Sequence, residues 1–206
     1  MSEVLQQVRV LHLGLIEYEI ALKKMRDFNL QRDADTTDEL WLLEHPPVYT
    51  LGLAADGGHG PRVASGIPLV KTERGGEITY HGPGQVVLYT LVDLARRGLK
   101  VKRFVWLLEQ SVIDLLDGRA ERMPGAPGVY VDGAKVAALG IRVSRGCAFH
   151  GLALNVDMDL APFQAIDPCG LPGLRVTQTR DLGMAEGADV LGGRLAGLLA
   201  RKLEHA

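Results

Sequence analysis

The run Val129-Tyr130-Val131-Asp132-Gly133-Ala134-Lys135-Val136-Ala137 decides the fold class. Two β-favouring segments flank Asp-Gly, the dipeptide suited to a two-residue hairpin turn because both central positions need positive φ. The register set by that turn puts Lys135 on one strand face with Ala137, Leu139, Ile141 and Val143. Lys135 is the one polar residue on that face. Held there it gives up hydration and becomes usable as a proton donor or acceptor. The plain alternative is a turn-proximal lysine that snorkels to water. A bulge at Gly140 would move the later residues to the other face.

Outward from the hairpin, the return strand continues through Ile141, and residues 149–156 read as the next strand. Upstream, residues 8–15 alternate as a strand, and residues 17–28 favour a helix with Ile20, Leu22 and Met25 available to bury. Residues 39–51 regain strand character around Pro46-Pro47, a pair that implies an edge or a bend. Residues 56–66 are loop. Residues 67–94 read as strand, turn, strand, with the turn at Arg74-Gly75-Gly76. Residues 102–116 form the clearest helix, with Val105, Leu108, Val112 and Leu115 or Leu116 at helical spacing. Residues 185–203 close the chain as an amphipathic helix on Val190, Leu191, Leu195, Leu198 and Leu199. With no repeat or low-complexity tract, residues 1–206 are expected to form one domain. Its class is α+β (mixed α/β), a mixed β-sheet flanked by helices.

The 206 residues carry 23 basic and 25 acidic side chains, a formal charge of −2 that points to no polyanionic partner such as nucleic acid. No apolar run approaches the roughly 20 residues of a membrane span. Met1-Ser2-Glu3-Val4 lacks the basic and apolar regions of a signal peptide, and only Cys147 and Cys169 are present, so a reducing cytoplasm is expected. The 25 glycines exceed the roughly 7% background, and they sit beside strand-forming residues rather than serine. Close backbone approach, to a ligand or another strand, accounts for that better than a flexible linker.

Several chemistries lack their motifs. There is no C-x-x-C, H-E-x-x-H or EF-hand pattern, no Walker or G-x-G-x-x-G loop, and no G-x-S-x-G elbow. Cys147-x-x-His150 alone is a weak metal pair. Of the thiols, Cys169 lies in Asp167-Pro168-Cys169-Gly170-Leu171-Pro172-Gly173, where two prolines and two glycines dictate a loop open to a bulky electrophile. Cys147, at a strand start, reads as a small buried hydrophobe. The densest polar constellation is Arg74-Gly75-Gly76-Glu77-Ile78-Thr79-Tyr80-His81-Gly82-Pro83-Gly84-Gln85, where paired glycines allow backbone approach and Arg74, Thr79 and His81 supply donors.

Three strings, RGGEITYHGPGQ (residues 74–85), VDGAKVAALGIRVSRGCAFHGLALNV (residues 131–156) and DPCG (residues 167–170), resemble lipoate–protein octanoyltransferases. The resemblance covers about residues 8–180. It implies a fold like the catalytic domains of biotin and lipoate ligases. It also implies transfer of an octanoyl group from acyl carrier protein to one lysine of a lipoyl domain, without metal or cofactor. The implied acceptors are the lipoyl domains of 2-oxoacid dehydrogenase complexes and the glycine cleavage H protein. Cys169 would be the acyl-thioester nucleophile and Lys135 its proton partner. Arg74, Gly75, Gly76, Glu77, Ile78, Thr79, Tyr80 and His81 would line the acyl pocket with Ala138, Leu139, Gly140, His150, Gly151, Leu152 and Ala153. Ala138, Gly140 and Gly151 would leave room for the chain. Its roughly seven CH₂ and CH₃ groups would contribute about 5 kcal/mol on burial, with weak discrimination per methylene.

Both implied partners are acidic small proteins, so their docking patch must be local. Arg96-Arg97-Gly98-Leu99-Lys100-Val101-Lys102-Arg103 is the expected place. The rival readings are an ATP-dependent lipoate or biotin ligase, a non-catalytic lipoyl-domain binding module, and a cysteine hydrolase.

Overall fold

The computed structural model describes residues 7–55, 60–62, 66–167 and 173–206. In chain order the elements are β1 (Arg9–Leu15), α1 (Tyr18–Gln31), β2 (Glu39–Glu44), β3 (Val48–Leu51), β4 (Leu69–Lys71), β5 (Ile78–His81) and β6 (Gln85–Asp93). Then come α2 (Val101–Leu115), β7 (Glu121–Met123), β8 (Ala126–Val131), β9 (Ala134–Ser144), β10 (Cys147–Asn155) and α3 (Ala188–Glu204). Short 3₁₀ turns at Ala161–Ala165 and Thr179–Leu182 lie between β10 and α3.

Seven strands form one mixed sheet in the order β1-β2-β6-β10-β9-β8-β7, and β4-β3-β5 form a second. β1 runs parallel to β2; the other pairs of the large sheet are antiparallel. The central strands are apolar on both faces because both faces are covered. Leu40, Leu42, Val86 and Leu88 pack with α2 and α3. The alternate residues Trp41, Leu43, Val87 and Tyr89 pack with α1. The expected class, a mixed sheet flanked by helices, is what forms.

Asp132 and Gly133 take φ of 49° and 72°, the paired positive values of a I′ turn, and Tyr130 pairs with Lys135 across it. Pro46-Pro47 does more than bend a strand. It ends β2 in the large sheet and starts β3 in the small one, since proline cannot donate to the ladder it leaves. Ile20, expected on the buried face of α1, is exposed; Tyr18, Ala21, Leu22 and Met25 form that face. Val190 is likewise exposed on α3, whose buried row is Leu191, Leu195, Leu199 and Leu203.

The expected basic patch is also reduced. Arg96 and Arg97 do not project to solvent with their neighbours. They bind the buried carboxylate of Asp38, at 2.9 and 2.6 Å, together with Arg32. Asp38 also accepts the backbone N–H of Asp93 at 2.9 Å. A carboxylate taken out of water needs this many donors, and the cluster fastens the turn before α2 to the start of β2. Lys100, Lys102 and Arg103 remain exposed at the N-terminus of α2.

Candidate active site

One extra residue in β9 places Lys135. Tyr130 pairs with Lys135 but Val129 pairs with Ala137, so Val136 is bulged between them. The bulge sits at the start of β9, not at Gly140, and it takes Lys135 off the face of Ala137. Ala137 packs in the core beneath α2, whereas Lys135 lines a cavity with Ala138 and Gly140 on the α1 side. Only 3% of Lys135 is exposed. Its Nζ donates to Pro127 O at 3.2 Å and lies 5.1 Å from the centre of the Tyr130 ring.

Gly128 makes the room. Its φ is +144°, and a Cβ there would fall 2.8 Å from Lys135 Cε, 3.0 Å from Nζ and 2.9 Å from Ala137 O. Gly128→Ala is therefore expected to displace the ammonium end of Lys135. The contact of Nζ with Pro127 O should then be lost, while the cavity walls from β10 and residues 76–81 stay in place. An unchanged Nζ position in a crystal structure of the variant would show that Lys135 is not held by this contact.

Cys169 lies outside the described residues, as do its neighbours 168 and 170–172. Of the described residues on either side, those that follow are fastened to Lys135 and those that precede are held by Arg62. On one side Arg62 pairs with Asp167 at 2.6 Å and donates to Gln164 O at 2.8 Å. On the other, Lys135 N–H donates to Arg175 O at 2.8 Å, and Thr177 N–H donates to Lys135 O at 2.9 Å. Val176 thus pairs in parallel with Lys135 itself.

The cavity lies between the large sheet and the segment running into β5, with a volume of about 60 Å³. Arg74, Gly76, Glu77, Ile78, Thr79 and His81 line it from that segment. Ala138, Leu139 and Gly140 line it from β9, and His150, Gly151, Leu152 and Ala153 from β10. Two expected lining residues do not. Tyr80 points away, its ring 5.5 Å from both Tyr49 and Phe163, because alternation along β5 turns it to the small-sheet core. Gly75 lines a neighbouring groove of about 350 Å³, which shares Gly76, Glu77, Leu139 and Gly140 with the cavity and also contains Pro127.

The small residues also work differently from expectation. A Cβ at Gly140 would sit 2.7 Å from Gly75 O, and one at Gly151 only 2.1 Å from Leu88 O. These glycines admit protein backbone at those contacts, and Ala138 lines the cavity. Arg74 is turned into the fold, donating to Thr50 O at 2.6 Å and Thr50 Oγ1 at 2.8 Å. With Gly75 N–H donating to Ile141 O at 3.0 Å, it fastens the double-glycine segment across the cavity.

His81 belongs to a polar chain that reaches the Lys135 strand. Gln85 Nε2 donates to Asn155 Oδ1 at 2.9 Å, so Gln85 Oε1 accepts from His81 Nδ1 at 2.7 Å. Asn155 Nδ2 in turn donates to Thr177 O at 3.0 Å. Burial pushes His81 and His150 down to about 3 and His45 to about 4, so all three rings are neutral near pH 7. They act through one N–H and one lone pair each, without charge.

The residues that sequence patterning missed are Tyr18, Val87, Tyr89, Asn155, Phe163 and Val176. They come from five different segments, and no local motif joins them. Cys147 opens β10 beside Arg145 O, 3.7 Å away, and burial pushes its thiol above the ordinary range. Among the described residues, no group of three His, Cys, Asp or Glu side chains is placed to hold a metal, and no helix is long and apolar enough to cross a membrane.

Residues 7–189 match the family model described as the lipoyl protein ligase A/B catalytic domain. An octanoyltransferase of Aromatoleum aromaticum is 58% identical over 197 residues, 94% of this chain and 85% of that protein. One of Thiobacillus denitrificans is 61% identical over 178 residues, 85% and 81% of the two chains. Among solved structures, lipoate-protein ligase A bound with ATP superposes with a TM-score of 0.75 at 15% identity, covering 97% of this chain and 94% of that one. Biotin protein ligase from Aquifex aeolicus gives a TM-score of 0.55 at 10% identity, covering 96% and 69%. These two likenesses are of fold.

Proposed function

Because the chain belongs to the lipoyl protein ligase A/B catalytic-domain family and works as an octanoyltransferase in protein lipoylation, we propose that it draws the octanoyl group from acyl carrier protein through a thioester on Cys169. The acceptors are lipoyl domains of 2-oxoacid dehydrogenase complexes and the glycine cleavage H protein, and the reaction runs in the cytoplasm. The observation that carries this reading is the placement of Lys135. A bulge and a glycine bury its ammonium end in the cavity, and its backbone is paired to residues 175–177, which follow Cys169 in the chain.

An ordinary thiol, at a pKa of about 8.5, is only a few per cent thiolate near neutral pH, so a partner that takes or balances its proton matters. Lys135 serves in either state, accepting the thiol proton when neutral and stabilising the thiolate when charged. The Cys169 sulfur attacks the octanoyl thioester carbon, the carrier's sulfur leaves, and that thiolate takes up the proton. Exchange between two thioesters is nearly balanced. After the carrier departs, the neutral amine of the lipoyl-domain lysine attacks, Cys169 leaves as the thiolate, and Lys135 passes the amine's proton to it. Thioester to amide is downhill, which drives the sequence without ATP.

The acyl tail occupies the cavity between β9, β10 and residues 74–81, whose walls are largely apolar or backbone. Docking of acidic partners falls to Lys100, Lys102 and Arg103, the part of the basic run not engaged by Asp38. Charge reversal at Lys100 and Lys102 is expected to raise donor KM several-fold at low salt with kcat preserved; an unchanged KM would remove the patch from the account.

The test of the reaction is octanoylation of a lipoyl domain, followed by its mass. Transfer from octanoyl carrier protein without ATP is the expected result. Modification only from free octanoate plus ATP would make the chain a ligase instead.

A further inference from the structure

We infer that His150 closes the far end of the acyl cavity and sets the longest chain that the site accepts. This rests on reading the cavity as the acyl site, and it assigns one residue a part in selecting among acyl groups.

By strand alternation His150 should face α2 and α3, since Ala148, Leu152 and Leu154 on either side of it all pack there. Instead its φ is +63°, a left-handed value inside β10. A bulky residue in that region is uncommon, and such outliers concentrate where a site imposes them. The kink turns the ring to the α1 side, where it stacks on Phe149 at 5.0 Å and meets Tyr89 edge-on at 6.0 Å. Thr90 Oγ1 donates to the displaced His150 carbonyl at 2.9 Å. The same kink drives the Cβ direction of residue 151 into Leu88 O, which is why that position is glycine.

The ring so placed is only 1% exposed, lines the cavity, and has no hydrogen-bond partner for Nδ1 or Nε2 among the described residues. His150 pairs with Ile141, while Lys135 lies near the other end of β9. That stretch of strand spans roughly 20 Å at about 3.3 Å per residue, less the bulge and the reach of the two side chains. A thioester carbonyl at Lys135 therefore directs an extended tail toward His150.

Every methylene buried short of the ring should tighten binding about fourfold. A longer chain must instead overlap the buried ring, which is closed in by Phe149 and Tyr89 and cannot give way without overpacking the core around it. The gain per methylene then reverses, and the reversal sets the length limit.

The experiment presents the protein with acyl carrier protein charged with hexanoyl, octanoyl, decanoyl or dodecanoyl groups and measures kcat/KM for loading. In the wild type, kcat/KM should rise with length and then fall sharply. H150N keeps a residue tolerant of positive φ but is shorter, and H150G relieves the backbone altogether. In either, the ratio of decanoyl to octanoyl kcat/KM should increase at least about tenfold. A change in overall rate alone would mark only a structural role. A wild-type profile that climbs through dodecanoyl, or variants that load octanoyl with the wild-type ratio, overturns the inference and leaves the acyl site standing. Failure of the wild type to load any of the four chains overturns the acyl-site reading itself, and the inference with it.

Discussion

Lys135→Met is expected to slow octanoyl transfer by about 10²–10⁴-fold, the range ascribed to a positioned proton carrier. Methionine matches the length of the stem that lies over Gly128 and fits the same bulged backbone, so the cavity walls should persist. What disappears is the nitrogen 3.2 Å from Pro127 O, beside the segment leading back to Cys169. Both half-reactions should suffer, because each needs one proton moved at the same sulfur. Lys135→Arg should not rescue. The planar guanidinium is wider than an ammonium, and the space beside Gly128 is already closed to a single methyl group. Quenched-flow loading, with circular dichroism as the check on folding, reads this directly. A folded Met variant within about tenfold of wild type would remove Lys135 from the chemistry.

Cys169→Ser should cost about 10³-fold or greater, because a serine hydroxyl ionises far less readily near neutral pH than a thiol does. Cys147→Ser supplies the contrast. That thiol is buried at the start of β10, and its deprotonation is opposed by desolvation and by Asp93. It should keep near wild-type transfer. Equal losses in the two variants would mean that the assignment of nucleophile by loop chemistry is wrong.

How much of this could be read from the chain differs from residue to residue. The Asp132-Gly133 turn was legible because a I′ turn demands positive φ at two adjacent positions, and that requirement narrows the residue choice. The Arg145-Gly146 turn between β9 and β10 has the same paired positive φ, 51° and 80°, but arginine does not advertise it. The face of Lys135 was not legible at all. A single bulged residue at Val136 reverses it, and bulges answer to both neighbouring strands at once. Likewise, a one-dimensional reading takes Arg74 for a donor facing the pocket and Arg96 for part of a docking patch. Their partners, Thr50 and Asp38, are brought to them only by the sheet. The kink at His150 is the extreme case, since histidine carries no local preference strong enough to predict φ of +63°.

The covalent intermediate is the claim on which the rest depends. Its most direct measurement is the intact mass of the protein after incubation with octanoyl carrier protein, without ATP and before any acceptor is added. A single octanoyl adduct is expected, absent in Cys169→Ser, present in Cys147→Ser, and discharged when a lipoyl domain is added. No adduct in the wild type under conditions of active transfer, or an adduct carried by Cys147, would contradict it.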